Sequence, residues 1–269
     1  MPPLLHNICR RFLLFIVPLS ILFSMIYAQF VLWPVLAIHA ASITSSNWAG
    51  YEAQGHRGMY RAVNMFFTVP HLSPRAGTSV EIWDGLGGNP NHTSPFELVQ
   101  AGIGSFWDST RGQVNVVWWY TIDAFVDSDA GTPKGGEQVM NLQVKAGDQI
   151  QVFVSSNDNN DGKDLFVIKD LTTHQTATQS FADPHKLSDS ATVECIVESP
   201  GSGGGFIPLA KFGIITLTSC AASTNNQSKR APIGNFPNDK IDMANGSTTL
   251  ATTSPLKNKT NFSVIWHHS

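Results

Sequence analysis

From Ser45 to its end, the chain is built from short runs rich in Val, Ile, Phe and Trp, each closed by Gly, Pro, Asn or Asp. The clearest runs are 63–69, 80–86, 98–103, 114–122, 149–155, 165–170, 192–198, 212–218 and 262–266. Runs of strand length between turn residues, with almost no stretch of helical period, restrict the chain to an all-β sandwich or barrel. Residues 254–257 are the one candidate for a short helix or turn, and 221–238 is the least patterned stretch. Irregular loops are expected at 87–95, 128–136, 156–163 and 199–205, where Gly, Pro, Asn and Ser cluster. No linker divides the chain, so one domain is expected over 43–269.

The first 40 residues read differently. Arg10 and Arg11 precede a nearly uncharged apolar run from Phe12 to Ala37, followed by the small residues Ala40, Ala41 and Ser42. This is the layout of an export signal. The run is also long enough to span a bilayer as a retained N-terminal anchor. Either outcome places residues 43–269 outside the cytoplasm: secreted, or tethered to a membrane only if the segment is kept.

Composition narrows the partners. The formal net charge is −3, and the chain has no basic cluster, which argues against nucleic acid. Charged residues make up only 14%, so there are few surface ion pairs to lose as carboxylates protonate, a composition suited to an acidic medium. Beyond the first 40 residues only Cys195 and Cys220 remain. Two cysteines make no disulfide scaffold, and no Cys/His spacing suggests zinc. The Asn157–Gly162 turn resembles a calcium loop but has Ile168 where the closing glutamate would stand. No metal or cofactor is expected.

Chemistry is most legible in Ala191-Thr-Val-Glu-Cys-Ile-Val-Glu-Ser-Pro200. As a strand, it directs Glu194, Ile196 and Glu198 to one face, and Cys195 and Val197 to the other. A carboxylate is costly to bury unless something pairs with it or uses it. Glu194 and Glu198 are about 13 Å apart along a strand, beyond the separations of about 5–5.5 or 6.5–9.5 Å at which paired glycosidase carboxylates act. A glycosidase would need a partner from another strand, with Glu81, Asp84 and Glu97 as candidates. In a second strand, Leu98, Gln100 and Gly102 share a face opposite Val99, Ala101 and Ile103. Gln100 is the polar member there, and Gly102 would leave room for a ligand backbone. No Gly-x-Ser-x-Gly elbow or Ser/His/Asp set is present.

Eight segments occur in a suggestive order: Ser46-Asn-Trp-Ala-Gly-Tyr51, Phe67-Thr-Val-Pro70, Ile82-Trp-Asp-Gly-Leu-Gly-Gly88, Leu98-Val-Gln-Ala-Gly102, Trp118-Trp-Tyr120, Ala146-Gly-Asp-Gln-Ile150, Val193-Glu-Cys-Ile-Val-Glu198 and Leu209-Ala-Lys-Phe212. Together they resemble the glutamic peptidases, or eqolisins. The resemblance implies a β-sandwich of two antiparallel sheets, of concanavalin A-like or jelly-roll type, and a secreted acid endopeptidase acting on protein or peptide substrates; a monomer is the default expectation for a secreted hydrolase. The resemblance further implies a Gln/Glu pair, carried over by motif as Gln100 and Glu198, with Glu198 as general base and Glu194 in support. Trp48, Trp83 and Trp119 are expected to line the substrate cleft with Gly102 and Glu194. The chain departs from the family pattern at Thr121 and Gly87, and near Val117, where acids are usual, and at Cys195, where an aromatic is usual. These losses leave open an inactive sandwich that binds peptide or glycan.

Overall fold

The computed structural model describes residues 41–88, 97–123, 138–156, 162–182, 190–202, 205–225 and 227–269. The leader or anchor expected over residues 1–40 lies outside them, as do most of the loops expected at 87–95, 128–136 and 156–163. Residues Ala40–Ser269 form one compact unit.

Eighteen strands carry the described chain: β1 Ala41–Ser45, β2 Trp48–Gln54, β3 Tyr60–Thr68, β4 Ser79–Gly87, β5 Glu97–Asp108, β6 Gly112–Asp123, β7 Gln138–Val139, β8 Gln149–Ser156, β9 Lys163–Asp170, β10 Gln175–Ala182, β11 Thr192–Glu198, β12 Gly201–Ser202, β13 Gly205–Phe206, β14 Ile214–Thr224, β15 Gln227–Pro232, β16 Asn238–Asn245, β17 Thr248–Thr253 and β18 Phe262–Trp266. The one helical element among the described residues is a 3-10 turn at Ile233–Asn235. Residues 254–257 form no helix; they lead into a turn at 258–260. The weakly patterned stretch 221–238 holds the end of β14, β15 and the 3-10 turn. No described helix is long and apolar enough to cross a membrane.

The strands make a two-layer sandwich. One sheet runs β18-β17-β16-β2-β11-β4-β5-β6-β7, and the other runs β10-β9-β8-β3-β14 with β15 beyond. Strand β14 belongs to both. Its start, Ile214–Leu217, pairs with β18, and from Thr218 onward it pairs with β3. The register shifts between Thr218 and Ala221, and Ser219 takes φ 54°. Described strand pairs are antiparallel except for β1, which lies parallel to β16; an isolated parallel bridge joins Ser79 and Leu209.

Period-two alternation fills the space between layers. From the first sheet come Val80, Ile82, Leu86, Val99, Ala101, Ile103, Val193, Cys195 and Val197; from the second, Val63, Met65, Ile150, Val152, Val154, Phe166 and Ile168. Each large apolar side chain removed from water contributes about 1.5–3 kcal/mol. At the far edge, β10 presents an almost wholly exposed polar face, which discourages edge-to-edge pairing with another chain. Cys195 and Cys220 are both buried as free thiols in this core. Burial and the neighbouring Cys220 push the Cys195 thiol well up.

Two glycines set how closely the strands of the first sheet approach. A Cβ on Gly102 would lie 2.2 Å from the Ile82 carbonyl oxygen and 2.6 Å from Trp83 Cβ. The space at Gly102 is therefore occupied by β4 itself and not by a ligand backbone, contrary to the sequence reading. A Cβ on Gly85 would press within 3.0 Å of Gln100 Cβ and 3.2 Å of the Trp83 ring. Because the Gly102 clash is with backbone, Gly102→Ala is expected to destabilise the fold by about 1–3 kcal/mol or more, read as a lowered chemical-denaturation midpoint.

Candidate active site

The outer face of the first sheet is a grid fixed by cross-strand pairing, since directly opposed residues share a face. Across the grid, Ile196 pairs with Gly50 and Trp83, Trp83 with Gly102, and Gly102 with Trp118. One row along lie Glu52, Glu194, Gly85, Gln100 and Tyr120, each opposite the next. One row the other way lie Trp48, Glu198, Glu81, Gly104 and Val116.

The register brings Gln100 together with Glu194, not Glu198. Gln100 and Glu194 stand two strands apart, about 10 Å between backbones, with only Gly85 between them. Two four- to five-atom side chains can lean toward each other over a glycine. Glu198 lies four residues further along β11 as well, roughly 16 Å from Gln100. The pair Gln100/Glu198 expected from motif order is thus not a neighbouring pair. The four-residue spacing of the glutamates preserves their face but not their row.

Their surroundings differ too. Glu194 is fully buried, and neither carboxylate oxygen closes a hydrogen bond among the described residues. Gln100 Oε1 is likewise buried without a partner among the described residues. Burial, and then the charge of Glu52, raise the Glu194 pKa well above the ordinary carboxylate range; the nearby Thr192 hydroxyl opposes this and Asp84 adds to it. Glu198 is held in place. Asn47 Nδ2 donates to its Oε1 at 2.8 Å, and Trp83 Nε1 donates to its Oε2 at 2.7 Å. Burial pushes its pKa up to about 7 against the pull of its donors, Trp83 foremost. Glu198 thereby orients the Trp83 ring, which meets Trp48 edge-on at 5.1 Å between centroids.

The aromatic lining is Trp48, Trp83, Trp118 and Tyr120, packed with Ile196 and Ile241. Trp119, expected in the cleft, points the other way and packs in the core against Phe166, at 5.0 Å, and Phe181. Neighbours on a strand face opposite sides, so a one-residue slip exchanges cleft for core. For the same reason Thr121 is a core-side position, opposite Val99. The residue flanking Gln100 in its row is Tyr120, which sequence reading passed over; the strict alternation of Trp118, Trp119 and Tyr120 was the signal for it. Of the other acids considered as glycosidase partners, Asp84 faces the core opposite Cys195 and Ala101, where burial raises its pKa despite Arg230. Glu81 stands directly beside Glu198; the Glu97 side chain lies outside the described residues. No group of three potential metal ligands occurs among the described residues.

Comparison with known proteins bears on this arrangement. The profile described as the Peptidase A4 family matches residues 46–266. Among solved structures, scytalido-glutamic peptidase with a peptide-based transition-state analogue aligns over 83% of this chain and 99% of its own, at 19% identity and a TM-score of 0.65. SCP-B, a member of the eqolisin family in complex with the tripeptide Ala-Ile-His, covers the same shares at 18% identity and a TM-score of 0.62. Aspergilloglutamic peptidase from Aspergillus niger aligns over 71% of this chain and 99% of its own, at 19% identity and a TM-score of 0.53. A search of curated protein sequences finds no match. With the family profile spanning nearly the whole sandwich, the chain belongs to the Peptidase A4 family, the glutamic endopeptidases.

Proposed function

We propose that this protein hydrolyses peptide bonds in protein or peptide substrates using Glu194 and Gln100, with Glu194 rather than Glu198 as the general base. The observation that carries this reading is the row: a buried carboxylate and a carboxamide oxygen, neither with a hydrogen-bond partner among the described residues, flank a single glycine on one sheet face.

The chemistry follows from the groups. A water between the two side chains gives a proton to Glu194 as its oxygen attacks the scissile carbonyl carbon. The carbonyl π electrons move onto oxygen, and the Gln100 amide N–H stabilises that oxyanion. Glu194 then returns the proton to the amine nitrogen as the C–N bond breaks. The carboxamide is neutral at any working pH, so one carboxylate carries the proton traffic. Trp48, Trp83 and Trp118 form an apolar aromatic cluster beside the reacting row, and the related SCP-B binds a tripeptide.

The site is read as working in a weakly acidic, extracellular setting, to which an exported leader over residues 1–40 would deliver it as a monomer. Glu194 must be ionised to accept a proton, and its raised pKa places the acid limb of activity above the ordinary glutamate range. A pure binding module is the rival reading. It would tolerate loss of either polar group as long as the aromatic cluster remained.

Incubation of the full chain with a denatured protein between pH 3 and 7, with pepstatin present to silence aspartic peptidases, tests the proposal. Cleavage is expected, and Gln100→Ala is expected to lower kcat by about 10²–10³-fold, the loss typical of one oxyanion donor. Absence of cleavage across that range would favour the binding module. A second expectation concerns stability. Glu198 is raised from 4.5 to about 7 in the folded state, so the fold binds its proton more tightly than the unfolded chain does. The stability it contributes is fully present below pH 4.5 and is lost as pH rises through about 7. Thermal unfolding followed from pH 4 to 8 should show a falling midpoint, and Glu198→Gln should flatten that fall.

A further inference from the structure

Glu52 is a buried carboxyl that the hydrolytic scheme does not use. It sits on β2 directly opposite Glu194 on β11, is 1% exposed, and faces a Glu194 that is 0% exposed. Directly opposed residues of an antiparallel pair hold their Cβ atoms about 4.5–5.5 Å apart. Two glutamates so placed bring their carboxyls within one shared shell, and two such groups out of water do not both ionise readily. Protons then leave in two steps that belong to the pair.

Resting on the reading of Glu194 as base, we infer that Glu52 is a positioning residue of the reaction: it forms a coupled carboxyl pair with Glu194 and sets the pH at which Glu194 becomes available as a base.

The groups around the pair are consistent with this. On the row, Gly85 and Gln100 lie beyond Glu194 and carry no charge. Asp239 lies beyond Glu52 and accepts from Gln54 Nε2 at 2.5 Å. The Thr192 hydroxyl is the polar neighbour on the same strand, and Asp84, on the far face of β4, adds like charge. The Tyr60 hydroxyl of β3 donates to the Gln54 carbonyl at 3.0 Å and has its own pKa raised by burial, by Glu194 and by Glu52. The charges that bear on Glu194 are both negative, Glu52 ahead of Asp84. The charge of Glu52 therefore holds the proton on Glu194 until higher pH.

The pH profile of kcat for the full chain tests the inference. Glu52→Gln keeps the shape and removes the charge, so the acid limb should move down by about 1–2 pH units, the size of a close carboxyl coupling, with KM unchanged. Glu52→Asp should recover part of the shift. A Glu52→Gln profile that overlays the wild type, or a loss of kcat equal at every pH, would overturn it. Difference infrared titration of the buried protonated carboxyl band gives a second reading that needs no activity. The band should persist to higher pH in the wild type than in Glu52→Gln, and equal persistence would overturn the coupling. Should Glu194→Gln remain fully active, the reading of Glu194 as base fails by itself, while the infrared comparison still decides whether the carboxyls are coupled.

Discussion

Everything proposed for this protein depends on one register, that of β11 against β4 and of β4 against β5. Antiparallel pairing aligns Glu194, Gly85 and Gln100 in a single row, and the missing side chain at Gly85 is what lets the outer two face each other. A slip of one residue would turn Glu194 into the core and Cys195 out of it. The core excludes that slip, because Val193, Cys195 and Val197 are buried against the second sheet and no one-residue shift keeps all three there. Hydrophobic burial between the layers thus determines which polar groups reach the outer face, and the strand pairing determines which of them meet.

The same logic explains why the two glutamates of β11 differ. Glu198 is enclosed by donors, the Asn47 amide and the Trp83 indole, and reads as the group that holds the aromatic cluster. Glu194 has burial without a closed hydrogen bond among the described residues, and an acidic neighbour across the strand pair. An arrangement of that kind is destabilising for a fold, and such sites are where proton chemistry is commonly found.

Much of this was legible in the sequence. Short apolar runs between turn residues indicated the β-sandwich, and the run 262–266 coincides with β18. Alternation correctly separated Glu194 and Glu198 from Cys195, and Gln100 from its core-facing neighbours. What stayed hidden was register, which long-range packing sets and which no local pattern encodes. That is why motif order pointed to Glu198, and why a one-residue offset put Trp119 rather than Trp118 in the cleft. Polar strands were also missed: β10, β16 and β17 carry few large apolar residues, and they are strands because their neighbours pair with them. Glu52 drew no notice because its partner lies 142 positions away in the chain, at Glu194.

On the proposed reading, the row on the sheet, and not the family motif, identifies the base. Steady-state hydrolysis by Glu194→Gln and Glu198→Gln, measured side by side on the full chain with one peptide substrate, tests it most directly. Glu194→Gln is expected to lose kcat by orders of magnitude while Glu198→Gln keeps measurable turnover, with its main change in KM as the Trp83 ring loses its anchor. The reverse pattern, an inactive Glu198→Gln beside a competent Glu194→Gln, would contradict it.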